Sequence, residues 1–268
     1  MLKDITLGQY FPGNTVAHKL DPRTKILLVV LYIVALFCAK SLLTYGLMAL
    51  CLAVCVRISR VGVKQLMRGL KPVLVIIIFT GILNLFFTPG DRYIFEWGFL
   101  HVSDTGLRSA VFMVLRIMLL IMGTFLMTYT TSPISLTDGL ERLLNGLKKL
   151  HVPVHELAMM MSIALRFIPT LIEETDKIMS AQKARGADFE SGNLIQKAKA
   201  LIPILVPLFI SAFRRADELA TAMECRCYHG GEGRTKLHVL KYQRRDYIAL
   251  TAGVLVVAAV LVLRHFGL

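Results

Sequence analysis

Apolar residues fall in five blocks along the chain, at 26–39, 42–56, 72–87, 107–129 and 247–263, and charged residues crowd the stretches between them. The first two blocks are short for a crossing. Fourteen helical residues reach about 21 Å, less than the roughly 30 Å of a bilayer core. Charge decides between one long helix through Lys40 and Ser41 and two short ones. Lys19, Arg23 and Lys25 precede the pair, and Arg57, Arg60, Lys64, Arg68 and Lys71 follow it with no acid among them. Both flanks belong on the cytoplasmic side under the positive-inside rule, so the chain crosses an even number of times between them. We therefore read a tight hairpin that tilts or thins the bilayer locally. The third block leads out to a net acidic loop with Asp91, Glu96 and Asp104 against Arg92, the fourth returns, and the fifth leaves again, placing His265–Leu268 outside.

Between Ser132 and Asp246 lie 115 residues without strand-like alternation. They read as helices over 134–150, 154–184 and 194–228. Pro153 suits a first helical turn, and Gly186 and Gly230-Gly231 suit exits. The stretches 158–172 and 201–213 are strongly apolar but short for comfortable spans, and Pro203 and Pro207 kink the second. They read as helices at the membrane face or packed on another membrane protein. The fold class expected is thus an all-α integral membrane protein. Residues 1–131 form a membrane domain of about four helices with a cytoplasmic N-terminus, 132–245 a helical cytoplasmic coupling domain, and 246–268 a C-terminal crossing.

Composition narrows the class. The chain is 55% hydrophobic and 18% charged, with mean hydropathy +0.62, where a soluble domain carries about a quarter charged residues. The 31 Lys and Arg against 18 Asp and Glu give a formal +13, an excess that points to nucleic acid, a membrane surface or an acidic partner. Nucleic acid is disfavoured, because residues 132–245 hold 17 basic against 12 acidic residues with scattered aromatics. Five cysteines and the polar first 25 residues (Asp4, Pro12, Gly13, Asp21, Pro22) speak against a disulfide framework and a signal peptide.

The most informative feature is a near-repeat. Asp176, Ala181 and Arg185 recur at the same spacing as Asp217, Ala222 and Arg226, with Ile178/Leu219, Ser180/Thr221 and Ala184/Cys225 matching in character. Each copy closes a predicted helix. Small residues surround each arginine: Ala181, Ala184 and Gly186 in one copy, Ala222, Cys225 and Cys227 in the other. Small side chains let a helix end enter a groove, where Arg makes a bidentate contact with a carboxylate. A lone arginine there merely complements the helix dipole, but its recurrence implies two similar sockets, which suits a dimeric or pseudo-dimeric partner.

These residues carry a family resemblance. AQKARGADF (181–189) and AMECRCY (222–228) resemble the paired X-R-G helix ends of the transmembrane T component of energy-coupling factor (ECF) transporters, and YFPGN (10–14), HKLDPRTK (18–25) and LRFIPTLIEE (165–174) are similar too. The likeness runs essentially end to end and is greatest to the general-purpose Gram-positive type. It implies a complex of two ABC ATPases, this scaffold and a small substrate-binding membrane protein (S component), with Arg185 and Arg226 each docked in one ATPase. The second motif departs from the pattern, with Cys225 and Cys227 in place of Ala and Gly. Both are small, so groove entry survives, while the glycine turn after Arg226 is lost from the sequence.

No G-x-x-x-x-G-K-[ST] loop occurs, so ATP hydrolysis is expected in partner subunits, and this chain is read as a non-catalytic coupling scaffold without cofactor. It would couple that hydrolysis to uptake of vitamins or other micronutrients captured by exchangeable S components. Met159, Met160 and Met161, with Met179, offer an adaptable surface for those subunits, although core filling is the commoner role of a single Met. A T component dedicated to one substrate (cobalt, nickel or one vitamin) is the alternative; a membrane enzyme is the alternative of another class, with Asn84 and Arg116 the only polar groups in the spans to serve it. Arg116 would face Asn84, an S component or the outer interface. No metal site is expected: Pro153 interrupts the His151/His155 pair, and Cys225, Cys227 and His229 lack a fourth ligand.

Overall fold

A computed structural model describes residues 10–89, 93–97, 100–189, 193–230 and 239–266. Asp4, Asp91, Arg92, Gly231, Leu268 and the signals read from them lie outside these. The chain divides into two compact units, one of Gly8–Arg142 with Leu240–Leu268, the other centred on Leu143–Val239.

The first unit holds α1 (Pro22–Cys38), α2 (Leu42–Ser59), α3 (Val63–Leu70), α4 (Leu74–Phe87), a two-stranded antiparallel hairpin of β1 (Tyr93–Trp97) and β2 (Leu100–Ser103), α5 (Asp104–Thr130), α6 (Pro133–Leu144) and α9 (Arg244–His265). The hairpin occupies the loop expected to be external. The first two apolar blocks are two helices, as the charge argument requires. Asp21 caps α1, and Ser41 and Thr44 form a reciprocal capping box that starts α2 afresh after the break at Ala39–Ser41.

Helix α5 is central, lying against α1, α2, α3 and α4, while α1 also packs on α9. The core brings Ala35, Leu36, Tyr45, Met48, Leu119 and Val260 together from four helices. Arg116 settles into this bundle rather than beside Asn84, whose amide instead donates to the Thr80 carbonyl at 3.0 Å. Its Nε donates to the Tyr45 hydroxyl at 2.9 Å and an Nη to the Ala39 carbonyl at 3.2 Å. The guanidinium thus satisfies a C-terminal carbonyl of α1 and ties the α1–α2 turn to α5.

At the opposite end of the bundle a polar staple joins the starts of the first and last helices of the unit. Asp246, 1% exposed, accepts the Asp21 N–H at 2.8 Å and the Gln243 N–H at 2.7 Å. Asp21 pairs with Arg23 at 2.8 Å, and Arg23 stacks on Tyr242 at 3.9 Å. Lys25 donates to the Thr130 carbonyl at 2.8 Å. The starts of α1 and α9 and the end of α5 therefore share one side, as alternating crossings require.

The second unit is built on α7 (Val154–Ala184) and α8 (Leu194–Glu224), preceded by a 3₁₀ segment at Asn145–Leu150. The first of these helices has the bounds predicted from Pro153 and Gly186. Among the described residues six helical stretches are long and apolar enough to cross a membrane: Leu42–Ser59, Val63–Phe87, Asp104–Thr130, Val154–Ala184, Ile195–Glu224 and Arg244–His265. The protein is a helical, multi-pass membrane protein. Helix α1, at 17 residues, spans only about 26 Å, while α7 and α8, expected at the membrane face, have the length and composition of spans.

Candidate functional site

The two arginine-bearing helix ends close in the same way. At the end of α7 the Ala187 N–H donates to the Gln182 carbonyl and the Gly186 N–H to the Lys183 carbonyl, both at 3.0 Å. Beyond α8 the Tyr228 N–H donates to the Met223 carbonyl at 3.1 Å and the Cys227 N–H to the Glu224 carbonyl at 2.8 Å. Each is a Schellman motif with the arginine as the last residue before a left-handed one. Gly186 takes that left-handed place at φ +87° and Cys227 at φ +54°. The second end thus makes the turn that its sequence, lacking glycine, does not announce. Arg185 and Arg226 are exposed, as are Ala181, Ala184, Ala222, Cys225 and Cys227 around them, so each guanidinium stands on a closed helix end among small side chains.

Side-chain contacts fix how the two ends are disposed within the unit. The Gln182 amide reaches the Pro203 carbonyl in a long 3.5 Å contact, Arg215 pairs with Glu174 at 2.8 Å, and the Ser211 hydroxyl donates to the same carboxylate. The Tyr228 hydroxyl donates to Met159 Sδ at 3.1 Å. Helices α7 and α8 therefore run antiparallel. Arg185 and Arg226 lie at opposite ends of the pair, each eleven residues beyond the Glu174–Arg215 contact, or roughly 30 Å apart at 1.5 Å per residue. Pro203 O is the carbonyl that Pro207 leaves without its helical donor, so Gln182 serves a group freed inside α8.

The methionines separate into two kinds. Met160 and Met161 are about half exposed, whereas Met159 is partly buried and receives Tyr228. Apolar exposure continues along α8, where Phe209 and Phe213 are 60% and 73% exposed. Bare apolar surface on this scale requires lipid or another protein. His151 stands outside α7 at φ +59°, so it shares no helical face with His155. The sequence reading missed Glu174, Ser211, Arg215 and Tyr228. Their signal was polar groups set between apolar turns, which gains meaning only once the helices are paired.

The family described as "Cobalt transport protein" (CbiQ) matches residues 13–237 of this chain. The chain is 57% identical over 263 residues to the energy-coupling factor transporter transmembrane protein EcfT of Clostridium kluyveri, covering 97% of each. It belongs to the energy-coupling factor transmembrane family. Identity to the EcfT of Bacillus subtilis is 49% over 264 residues, covering 98% of this chain and all of that one. For the EcfT of Lactococcus lactis subsp. cremoris it is 45% over 262 residues and 98% of each. As a family member the chain is a transmembrane component of an energy-coupling factor transporter, and it works within a membrane-embedded complex of subunits.

Proposed function

We propose that this chain is the coupling scaffold of its transporter, seating two ABC ATPases on Arg185 and Arg226 and passing their movement to a small membrane subunit that captures a vitamin or other micronutrient. The observation that carries the proposal is the pair of matched arginine ends at opposite poles of α7 and α8. One docking surface would need one such end; two ends roughly 30 Å apart suit two grooves on separate subunits. A helix end is built for this task. Its closed turn leaves few backbone groups to desolvate, the small flanking residues admit it to a groove, and the guanidinium supplies two parallel donors to a carboxylate.

On this reading the coupling segment, residues 132–245, faces the cytoplasm between the membrane domain 1–131 and the last crossing 246–268. When the ATPases close on ATP their grooves approach or rotate, and the seated ends follow. Because the helices are tied near mid-length by Glu174, Ser211 and Arg215, a displacement of the ends becomes a change in their mutual angle. The apolar surface that includes Met160 and Met161 then offers a different shape to the substrate-binding subunit. Unbranched methionine suits exchange among several such subunits. Met160→Leu with Met161→Leu, where leucine keeps volume but not pliancy, is expected to slow that exchange.

The direct test is mild solubilisation of the tagged protein from its native membrane, with and without Arg185→Glu and Arg226→Glu. Each single change is expected to weaken ATPase recovery and the double change to abolish it, because opposing a buried carboxylate with another costs at least as much as losing the pair, about 2–5 kcal/mol. Full recovery of both ATPases with the double variant would refute the assignment. Several different small membrane proteins in the unaltered preparation would mark a shared module; a single one would mark a dedicated transporter.

A further inference from the structure

We propose that α3 is a bilayer-surface element whose basic stripe binds the headgroups of anionic phospholipids. The helix has three kinds of face. Leu66 and Leu70 are buried, at 2% and 3% exposure, and Gly69 brings the backbone so near α5 that a Cβ there would meet the Phe125 ring at 2.6 Å. This face fixes α3 rigidly to the bundle. Val63 and Met67, one turn apart, are 62% and 49% exposed. Lys64, Arg68 and Lys71, at spacings of four and three, form an exposed stripe beside them. A helix with one apolar sector and one adjoining cationic sector is suited to the boundary between acyl chains and headgroups.

Position and charge select lipid as the occupant. The helix lies between the end of α2, with exposed Val54 and Ile58, and α4, with exposed Ile76, Ile78 and Phe79, so its stripe lies where the apolar, bilayer-facing surfaces of two spans end. Arg57 and Arg60 at the end of α2 extend the cationic surface. None of these five cations has an ion pair or a side-chain hydrogen bond to any described residue, and no acidic residue occurs between Asp21 and Asp91. A cluster of four to eight basic residues next to a membrane span attracts anionic headgroups.

The test is native mass spectrometry of the full chain purified in detergent and equilibrated with equal amounts of phosphatidylglycerol and phosphatidylcholine. The unaltered protein is expected to retain phosphatidylglycerol at least tenfold over phosphatidylcholine, since each surface cation contributes about fivefold. K64Q/R68Q/K71Q is expected to lose most of that preference. K148Q/K149Q/K197Q, with the same charge removed from other exposed sites, is expected to keep it, and K64R/K71R likewise. No preference in the unaltered protein, or the same preference in the α3 variant, overturns the proposal. So does an unchanged preference accompanied by reduced recovery of partner subunits, which would assign the stripe to an acidic protein surface.

Discussion

The ends of α7 and α8 close with the same two backbone hydrogen bonds, yet one places glycine at the left-handed position and the other cysteine. A side chain there is disfavoured by about 1–2 kcal/mol, so the second end holds its turn against a local cost. What differs nearby is Tyr228, whose hydroxyl reaches Met159 on the neighbouring helix. The first end, with open space around Gly186, reaches α8 through the long Gln182–Pro203 contact, whereas the second has the Tyr228–Met159 contact directly beside its left-handed residue. The same hydrogen-bonded closure can thus rest on different supports, and the two ends should answer differently to the same insult.

The strongest way to break the comparison is to remove one arginine at a time. Arg185→Ala and Arg226→Ala are each expected to weaken ATPase binding by about 2–5 kcal/mol, read by titrating purified ATPases against the immobilised protein. Losses within threefold of each other would mean equivalent sockets; a larger gap would show that the ends are received differently. Next comes the left-handed residue. Gly186→Val is expected to cost about 1–2 kcal/mol of thermal stability, and Cys227→Gly to restore about 1 kcal/mol; equal and negligible effects would remove the distinction drawn here. The tie between the helices is weaker. With side chains 32% and 23% exposed, Arg215 and Glu174 should show a coupling near 0.5–1 kcal/mol in a double-mutant cycle using Glu174→Gln and Arg215→Gln. Smallest is Tyr228→Phe, expected to cost about 0.5 kcal/mol and to loosen the second end alone, as hydrogen exchange at Cys227 and Tyr228 would report.

Much of this architecture is legible in the sequence alone. Pro153 and Gly186 delimit α7 because each has a backbone restriction or freedom that acts locally. The hairpin of α1 and α2 was legible from charge, since the sidedness of lysine and arginine is independent of packing. The arginine ends were legible because their pattern recurs. Features that depend on neighbours were not. Cysteine carries no signal for a left-handed turn, so Cys227 appeared as a departure from the motif rather than as its equivalent. Asp246 and Lys25 read as ordinary flanking charges, although Asp246 is buried against Asp21 and Lys25 is buried with its ammonium on the Thr130 carbonyl. Arg116 showed only that a charge lay within a span; its partner, Tyr45, is 71 residues away.

The ion pair between Glu174 and Arg215 also has a reading in terms of symmetry. Its members are separated by 41 residues, the same interval that separates Asp176 from Asp217 and Arg185 from Arg226. They therefore occupy equivalent positions of the near-repeat. Antiparallel segments that repeat one pattern are related by a local two-fold axis, and a residue on that axis meets its own counterpart. Like charges at both positions would repel at the crossing. Glutamate in one helix and arginine in the other turn that self-encounter into an attraction, so the pair closes the crossing because the two copies differ there.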